Sequence, residues 1–178
     1  MPSVRCFPGS AAVSAFRQAS LLKRIQAQST GCSSFNARWA YLVSSTDEAL
    51  LDRPGSAPVE DLLDCTDTAF EPPRPGVARL WVFPRRGTRS PWSSKATDIL
   101  HSCGLESIVR VERGVCIDFL GLKGPIPSAI VALFMDRMIE QGLESGSPPL
   151  DGSSLPKPNP LPLLIFMPMG AVHWSGPT

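Results

Sequence analysis

No Cys-x-x-Cys pair occurs in this chain, and its five cysteines, Cys6, Cys32, Cys65, Cys103 and Cys116, are odd in number and widely spaced. Neither a zinc site nor a disulfide framework is indicated, and a reducing compartment is the simpler setting. No apolar run approaches the roughly 20 residues a membrane-spanning helix needs. The greasiest stretch, Leu161 to Met169, is interrupted by proline. The chain is therefore expected to be soluble. Net charge is almost absent as well: at +1 it supplies no electrostatic case for nucleic acid or an anionic membrane as partner. Acidic residues are missing from Met1 to Thr46, while Arg5, Arg17, Lys23, Arg24 and Arg38 stand among serines and alanines. Two readings compete there: an organellar transit segment, or the first strand and helix of a domain.

What is present describes one domain with a tail. The 178 residues, 43% hydrophobic and 19% charged, are enough for a real core. Proline is abundant but uneven, with eight of 19 lying beyond Glu144. The expected division is an ordered domain over 1–142 and a proline-rich, irregular tail over 143–178.

Periodicity predicts the elements. Ser3 to Phe7 reads as a strand, ended by a Pro8-Gly9-Ser10 turn that caps a helix with Ala12, Ala15, Phe16, Ala19, Leu22 and Ile25 on its apolar face. Trp39, Tyr41 and Val43 alternate within a strand over Asn36 to Ser44. A short helix over Val59 to Leu63 is entered after Pro58. Ala78 to Phe83 has the length of a buried strand. Ile108 to Leu120 reads as a strand pair, or as one long strand broken at Gly114. A last helix from Pro127-Ser128 carries Ile130, Val131, Phe134, Met135 and Met138 on one face. The alternation of strands and helices makes an α+β layer of sheet and helices the natural architecture, with a parallel α/β sheet left open.

The most distinctive stretch runs from Pro84 to Ile99 (PRRGTRSPWSSKATDI). It reads as a strand end, a basic glycine turn and a helix start, with Ser90 capping, Pro91 at the first helical position and Gly104 at the stop. Trp92, Ala96, Ile99 and Cys103 are the expected inward stripe, so Cys103, with Cys6 and Cys116 on strands, is expected to be a buried thiol. Free amides at a helix start, preceded by Arg85, Arg86, Thr88 and Arg89, suit a phosphate or carboxylate. The bland alternative is that the serines only cap, the arginines form a solvated loop, and Lys95 with Asp98 is a surface pair of little energetic weight.

This stretch is similar to a signature of the large, single-chain phosphoribosylformylglycinamidine synthases. His101, Cys103-Gly104-Leu105, Val111-Glu112-Arg113-Gly114, Ser14-Ala15-Phe16-Arg17 and, as a late helix motif, Asp136-Arg137-Met138 extend the resemblance from about Val4 to about Gly142. It implies an amino-terminal, PurS-like α+β domain that helps assemble the synthetase and glutaminase parts of an ATP- and glutamine-dependent ligase of purine biosynthesis. ATP and magnesium serve the full-length family. No cofactor, metal ligand or catalytic residue is expected in this chain, where the only histidines are His101 and His173 and no cysteine stands in a nucleophile motif. Its partners are expected to be the synthetase and glutaminase domains, with a phosphate-bearing ligand as a further candidate, and its location cytoplasmic, with the organellar alternative above. Candidate anion, substrate or domain-interface contacts are Arg85, Arg86, Thr88, Ser90, Ser93, Ser94, Lys95 and Asp98. The alternative function is a free-standing anion-binding or structural protein from a truncated gene.

Overall fold

The computed structural model describes residues 2–52, 57–67, 69–85 and 87–150. Arg86 and the expected tail beyond Leu150 lie outside the described residues. Ten elements follow in order: β1 (Ser3–Ala11), α1 (Ala15–Gln28), β2 (Ser34–Ser45), α2 (Glu48–Asp52), α3 (Ala57–Leu62), β3 (Val77–Pro84), α4 (Pro91–Ser102), β4 (Ile108–Leu120), α5 (Ser128–Val131) and β5 (Glu140–Glu144). The strands form one antiparallel sheet in the order β1-β2-β4-β3-β5. The chain is an α+β fold, and the parallel alternative is excluded.

Strand alternation sorts the sheet into two faces. On one, Phe35, Ala37, Leu80, Val82, Ile117 and Phe119 pack against Leu21 and Ile25 of α1 and Ile130 of α5. Further along the same face, Phe7, Tyr41, Val43 and Val111 meet Leu51 of α2, Val59 of α3, Leu63 just after α3 and Leu100 of α4. The helices thus share one side of the sheet. The other side carries Cys6, Ala40, Leu42, Trp81, Phe83 and Cys116, crossed by the connection between α3 and β3. Phe70 in that connection meets Trp81 edge-on at 4.8 Å, and Arg79 donates to Glu71 O at 2.7 Å and pairs with Asp118 at 2.6 Å.

Several expectations are corrected. Pro8-Gly9-Ser10 is not a turn but the continuation of β1. β1 is an edge strand, where a proline interrupts no ladder bond, and the three-residue advance from Pro8 to Ala11 against two on β2 is a bulge. Tyr41 lies over Gly9 so closely that a side chain there would meet its ring at 2.5 Å. The cap of α1 is accordingly Ser14, not Ser10. Within α1 the buried line is Leu21 and Ile25, with Phe16 85% exposed. The 15/19/22 and 21/25 rows are neighbours, and alanines gave the pattern too little contrast to choose between them.

Gly114 breaks nothing. β4 passes through it unbroken, paired there with Ala40 of β2, and the Phe83 ring and the Val82 carbonyl occupy the space a side chain would need. The last helix is only one turn long. After α5 two i→i+3 bonds follow, Leu133 N–H to Ile130 O and Phe134 N–H to Val131 O, both at 3.0 Å. Asp136 then reverses the chain, and β5 satisfies the free edge of β3. Local periodicity suggested helix, and the unpaired amides of β3 prevailed. Asp136-Arg137-Met138 therefore lies in the turn before β5, not on a helix, and β5 itself runs across Gly142.

Candidate functional site

β3 delivers the chain to the basic turn. Thr88 closes it on Arg85, donating to Arg85 O from its amide at 3.1 Å and its hydroxyl at 2.6 Å, with Gly87 between them at φ +83°. That backbone conformation favours glycine. Ser90 then caps α4 as expected: its Oγ accepts from Ser93 N–H at 3.0 Å, and Pro91 takes the first helical position. At the far end Gly104, φ +85°, follows the Cys103 cap.

The inward stripe of α4 is displaced by one residue from the expected one. Ser93, Thr97 and Leu100 are buried, Ile99 is half exposed and Cys103 is exposed. The reason lies in the sheet. β3 pairs with β4 only as far as Val82↔Val115, and α4 lies against the part of β4 beyond it. There Thr97 Oγ1 accepts from Val111 N–H at 3.3 Å and donates to Ser93 O at 2.8 Å. A polar row faces β4 because a strand edge needs hydrogen bonds, which an apolar row cannot supply.

The helix start also holds an anion, and it is the chain's own Glu112. This carboxylate, 1% exposed on β4, accepts from Ser90 Oγ at 3.0 Å, from Ser90 N–H at 3.5 Å and from Arg110 Nε at 3.0 Å. Arg110 Nη2 completes the pair with Glu112 and donates to Thr88 O at 2.6 Å. Arg110 and Glu112 are two residues apart on one strand, hence on one face, and together they tie the turn, the cap and β4 into one buried polar unit. Neither was among the expected site residues. The available signal was two opposite charges at i and i+2 inside an otherwise apolar strand.

The expected residues therefore separate into two groups. Ser90 is half-buried and Ser93 buried, and the Ser93 hydroxyl has no hydrogen-bond partner among the described residues. Thr88 is exposed, with its hydroxyl turned back onto the turn, and Ser94, half-buried, hydrogen-bonds through its amide to Ser90 O at 3.3 Å. Arg85, Lys95 and Asp98 are exposed. Arg85 Nη2 donates to Arg137 O at 2.5 Å and its amide to Ile139 O at 2.9 Å, which brings the basic turn against the turn before β5. His101 Nε2 lies 2.6 Å from Ile108 O and so ties α4 to the start of β4. Trp92 stacks on Tyr41 with centroids 5.8 Å apart, and the Arg113 guanidinium lies 4.4 Å from the Trp39 ring and 4.8 Å from that of Trp92. This half-buried stack fastens α4 to the helical face of the sheet.

Burial governs the thiols. It raises Cys6 above the usual thiol range, with the thiols of Cys116 and Cys65 adding to the rise, and lifts Cys65 and Cys116 to about 12, with carboxylates beside them adding to it. Cys32 is raised by burial as well. Among the described residues no group of three or more His, Cys, Asp or Glu side chains is placed to hold a metal ion, and no helix is long and apolar enough to cross a membrane.

The fold and this site define a small α+β domain whose signature segment forms a rigid, basic corner between a sheet end and a helix start. The particular family follows from sequence comparison: the chain belongs to the formylglycinamide ribonucleotide amidotransferase N-terminal family, whose sequence model matches residues 38–148. It is also similar to a phosphoribosylformylglycinamidine synthase of Schizosaccharomyces pombe (strain 972 / ATCC 24843), 40% identical over 86 residues. That match spans 48% of this chain and 6% of the relative.

Proposed function

We propose that this chain acts as an assembly domain of a phosphoribosylformylglycinamidine synthase, docking on the synthetase and glutaminase parts of that enzyme and contributing no reacting group itself. The observation that carries this reading is the family match across residues 38–148, which takes in β3, the basic turn, α4 and β4. The chemistry would belong to the partner domains: ATP with magnesium to activate the amide of formylglycinamide ribonucleotide, and glutamine as the nitrogen source. Within this chain the signature serves to hold a surface in shape. Its inward members, the half-buried Ser90 and the buried Ser93 and Thr97, bond to or lie within the domain, while Arg85, Lys95 and Asp98 face outward, as interface contacts should. Direct capture of a phosphate at the helix start is the weaker reading, because Glu112 already takes the capping amide, hydroxyl and guanidinium there.

The test is reconstitution. The remaining domains of a family synthase, prepared without their amino-terminal region, are mixed with this chain and assayed for glutamine- and ammonia-dependent ATP hydrolysis. Saturable binding with a rise in glutamine-dependent turnover is expected. Absence of binding to any such domain removes the reading.

A further inference from the structure

Trp81 and Phe83 of β3 share one face of the sheet, the one without helices, with their register partners Leu143 and Gln141 of β5. Beyond β5 the chain stays on that face. Trp81 Nε1–H donates to Ser145 O at 2.9 Å, Arg79 Nη1 donates to Gly146 O at 3.3 Å, and Ser145 Oγ accepts from Ser147 N–H at 3.2 Å. Leu150 N–H closes a last tight turn on Pro148 O at 2.9 Å. Residues 141–143 and 147–150 thus border a groove of about 560 Å³ floored by Trp81 and Phe83, within the roughly 300–1,000 Å³ of ligand cavities. No charged side chain lines it among the described residues, and Leu143 and Leu150 stand at its rim, each 45% exposed.

The described chain ends at Leu150, within the lining of the groove itself. Residues 151–178 follow, and their only Asp, Glu, Lys or Arg side chains are Asp151 and Lys157. Residues 161–169 (LPLLIFMPM) are uncharged and apolar throughout, the chemistry that an uncharged groove with an aromatic floor takes. The stretch between, residues 151–160, holds prolines at 156, 158 and 160. Extended at about 3.1 Å per residue it spans about 30 Å, ample to return over two strands about 5 Å apart. Proline fixes φ, so less conformational freedom is lost on docking, and a short tether supplies a millimolar effective concentration. The family match ends at residue 148. Pro149 and Leu150 of the lining therefore lie with the apolar run beyond it, and a partner domain common to the family would have to recognise a wall that the match does not include. We propose that residues 161–169 of this chain fold back into the groove and cover Trp81 and Phe83, seated between Leu143 and Leu150. Such an internal strap holds whether or not the domain docks on a synthase.

The experiment puts the photoreactive analogue p-benzoylphenylalanine in place of Phe166 in the full chain, irradiates it at low protein concentration and maps the products by mass spectrometry. Cross-links within one chain to peptides carrying Trp81 or residues 141–150 are expected. The double variant Leu143→Asp/Leu150→Asp, which sets charge on the rim, is expected to lower their yield at least about fivefold. Chymotrypsin gives an independent reading. Cleavage after Leu164 and Phe166 in the full chain is expected to be at least about tenfold slower than in a free peptide of residues 151–178, and the rim variant is expected to lose that protection. Unchanged amide signals from β2 and β4 establish that the variants fold. Cross-links scattered over the helical face, or cleavage as fast as in the free peptide, would overturn the proposal. Groove cross-links formed only between two chains would make the occupant a second copy and overturn it as well. Shifts of the Gln141 to Leu143 amides on adding anilinonaphthalene sulfonate, with no groove cross-link, would give the groove to a small apolar ligand instead.

Discussion

Replacing Glu112 with glutamine tests the central claim about the signature segment, because it keeps the shape of the side chain and removes the charge. In the native domain Glu112 is 1% exposed and the Arg110 side chain 8% exposed. The substitution leaves the guanidinium buried without its counter-ion, with the Thr88 carbonyl at 2.6 Å and a neutral amide oxygen as its acceptors. Removing one partner of a buried pair costs about 3–5 kcal/mol. Weaker acceptance from Ser90, a neutral for a charged oxygen, adds to this, so a loss of about 4 kcal/mol is expected. For a domain of this size that is a large share of a total stability of about 5–15 kcal/mol. With a urea dependence of about 2 kcal/mol/M the unfolding midpoint should fall by about 2 M. The double variant Arg110→Met/Glu112→Leu should recover most of the loss, because replacing both members of a buried pair by apolar groups is often neutral. Arg110→Met completes the cycle, with a coupling of more than about 1 kcal/mol expected. A Glu112→Gln variant within about 1 kcal/mol of wild type would refute the buried unit as the organiser of this corner.

Other variants probe separate features. Gly114→Ala should destabilise by about 3 kcal/mol, because the added carbon falls on the Phe83 ring and the Val82 carbonyl. A near-neutral urea midpoint would show that β3 yields easily at that point. Ser90→Ala removes both the cap of α4 and a donor to Glu112 and should lower stability by about 1–2 kcal/mol; a midpoint indistinguishable from wild type would count against the cap. An aromatic disulfide reagent should titrate one thiol quickly in the folded chain, Cys103, and all five after denaturation. Rapid reaction of Cys6 or Cys116 would contradict their burial. Because burial raises the folded values of Cys6 and Cys116 above the ordinary value of 9.0, the folded chain keeps protons that the unfolded chain releases. Stability should therefore be unaffected by these thiols below pH 9 and fall as pH rises above it. Urea midpoints that stay level from pH 9 to 11 would exclude that linkage.

The elements that sequence patterning located were those whose local chemistry agrees with their surroundings. Ser90-Pro91 and Gly104 mark the ends of α4 by backbone rules that hold in any fold. The alternation of Trp39, Tyr41 and Val43 marks β2 because one face of that strand meets the helices. The errors arose where long-range pairing decides. Pro8-Gly9 has the composition of a turn, and only its place at the sheet edge allows it to remain strand. Glu140 to Glu144 has little strand character of its own and becomes β5 because β3 offers an unpaired edge. The row of α4 that faces the core is polar because a strand edge lies beside it. For the same reason Glu112 was passed over in the candidate site: its significance depends on Ser90, 22 residues earlier in the chain.

The order of strands has a consequence for the making of the chain. β4 lies between β2 and β3, and it joins β2 through pairs as distant as Ser34 and Leu120. Until residue 120 has been synthesised, β2 has β1 on one side and nothing on the other, and the apolar side chains of Phe35, Tyr41 and Val43 lack the strand that completes their sheet. β3, made before β4, waits with two free edges and an almost wholly apolar sequence. Long-range closure of this kind is slow, and open strand edges are sticky while it is pending. A nascent chain halted anywhere short of Leu120 should therefore depend on chaperones, whereas one extended past it can close its central pair and shelter both neighbours at once.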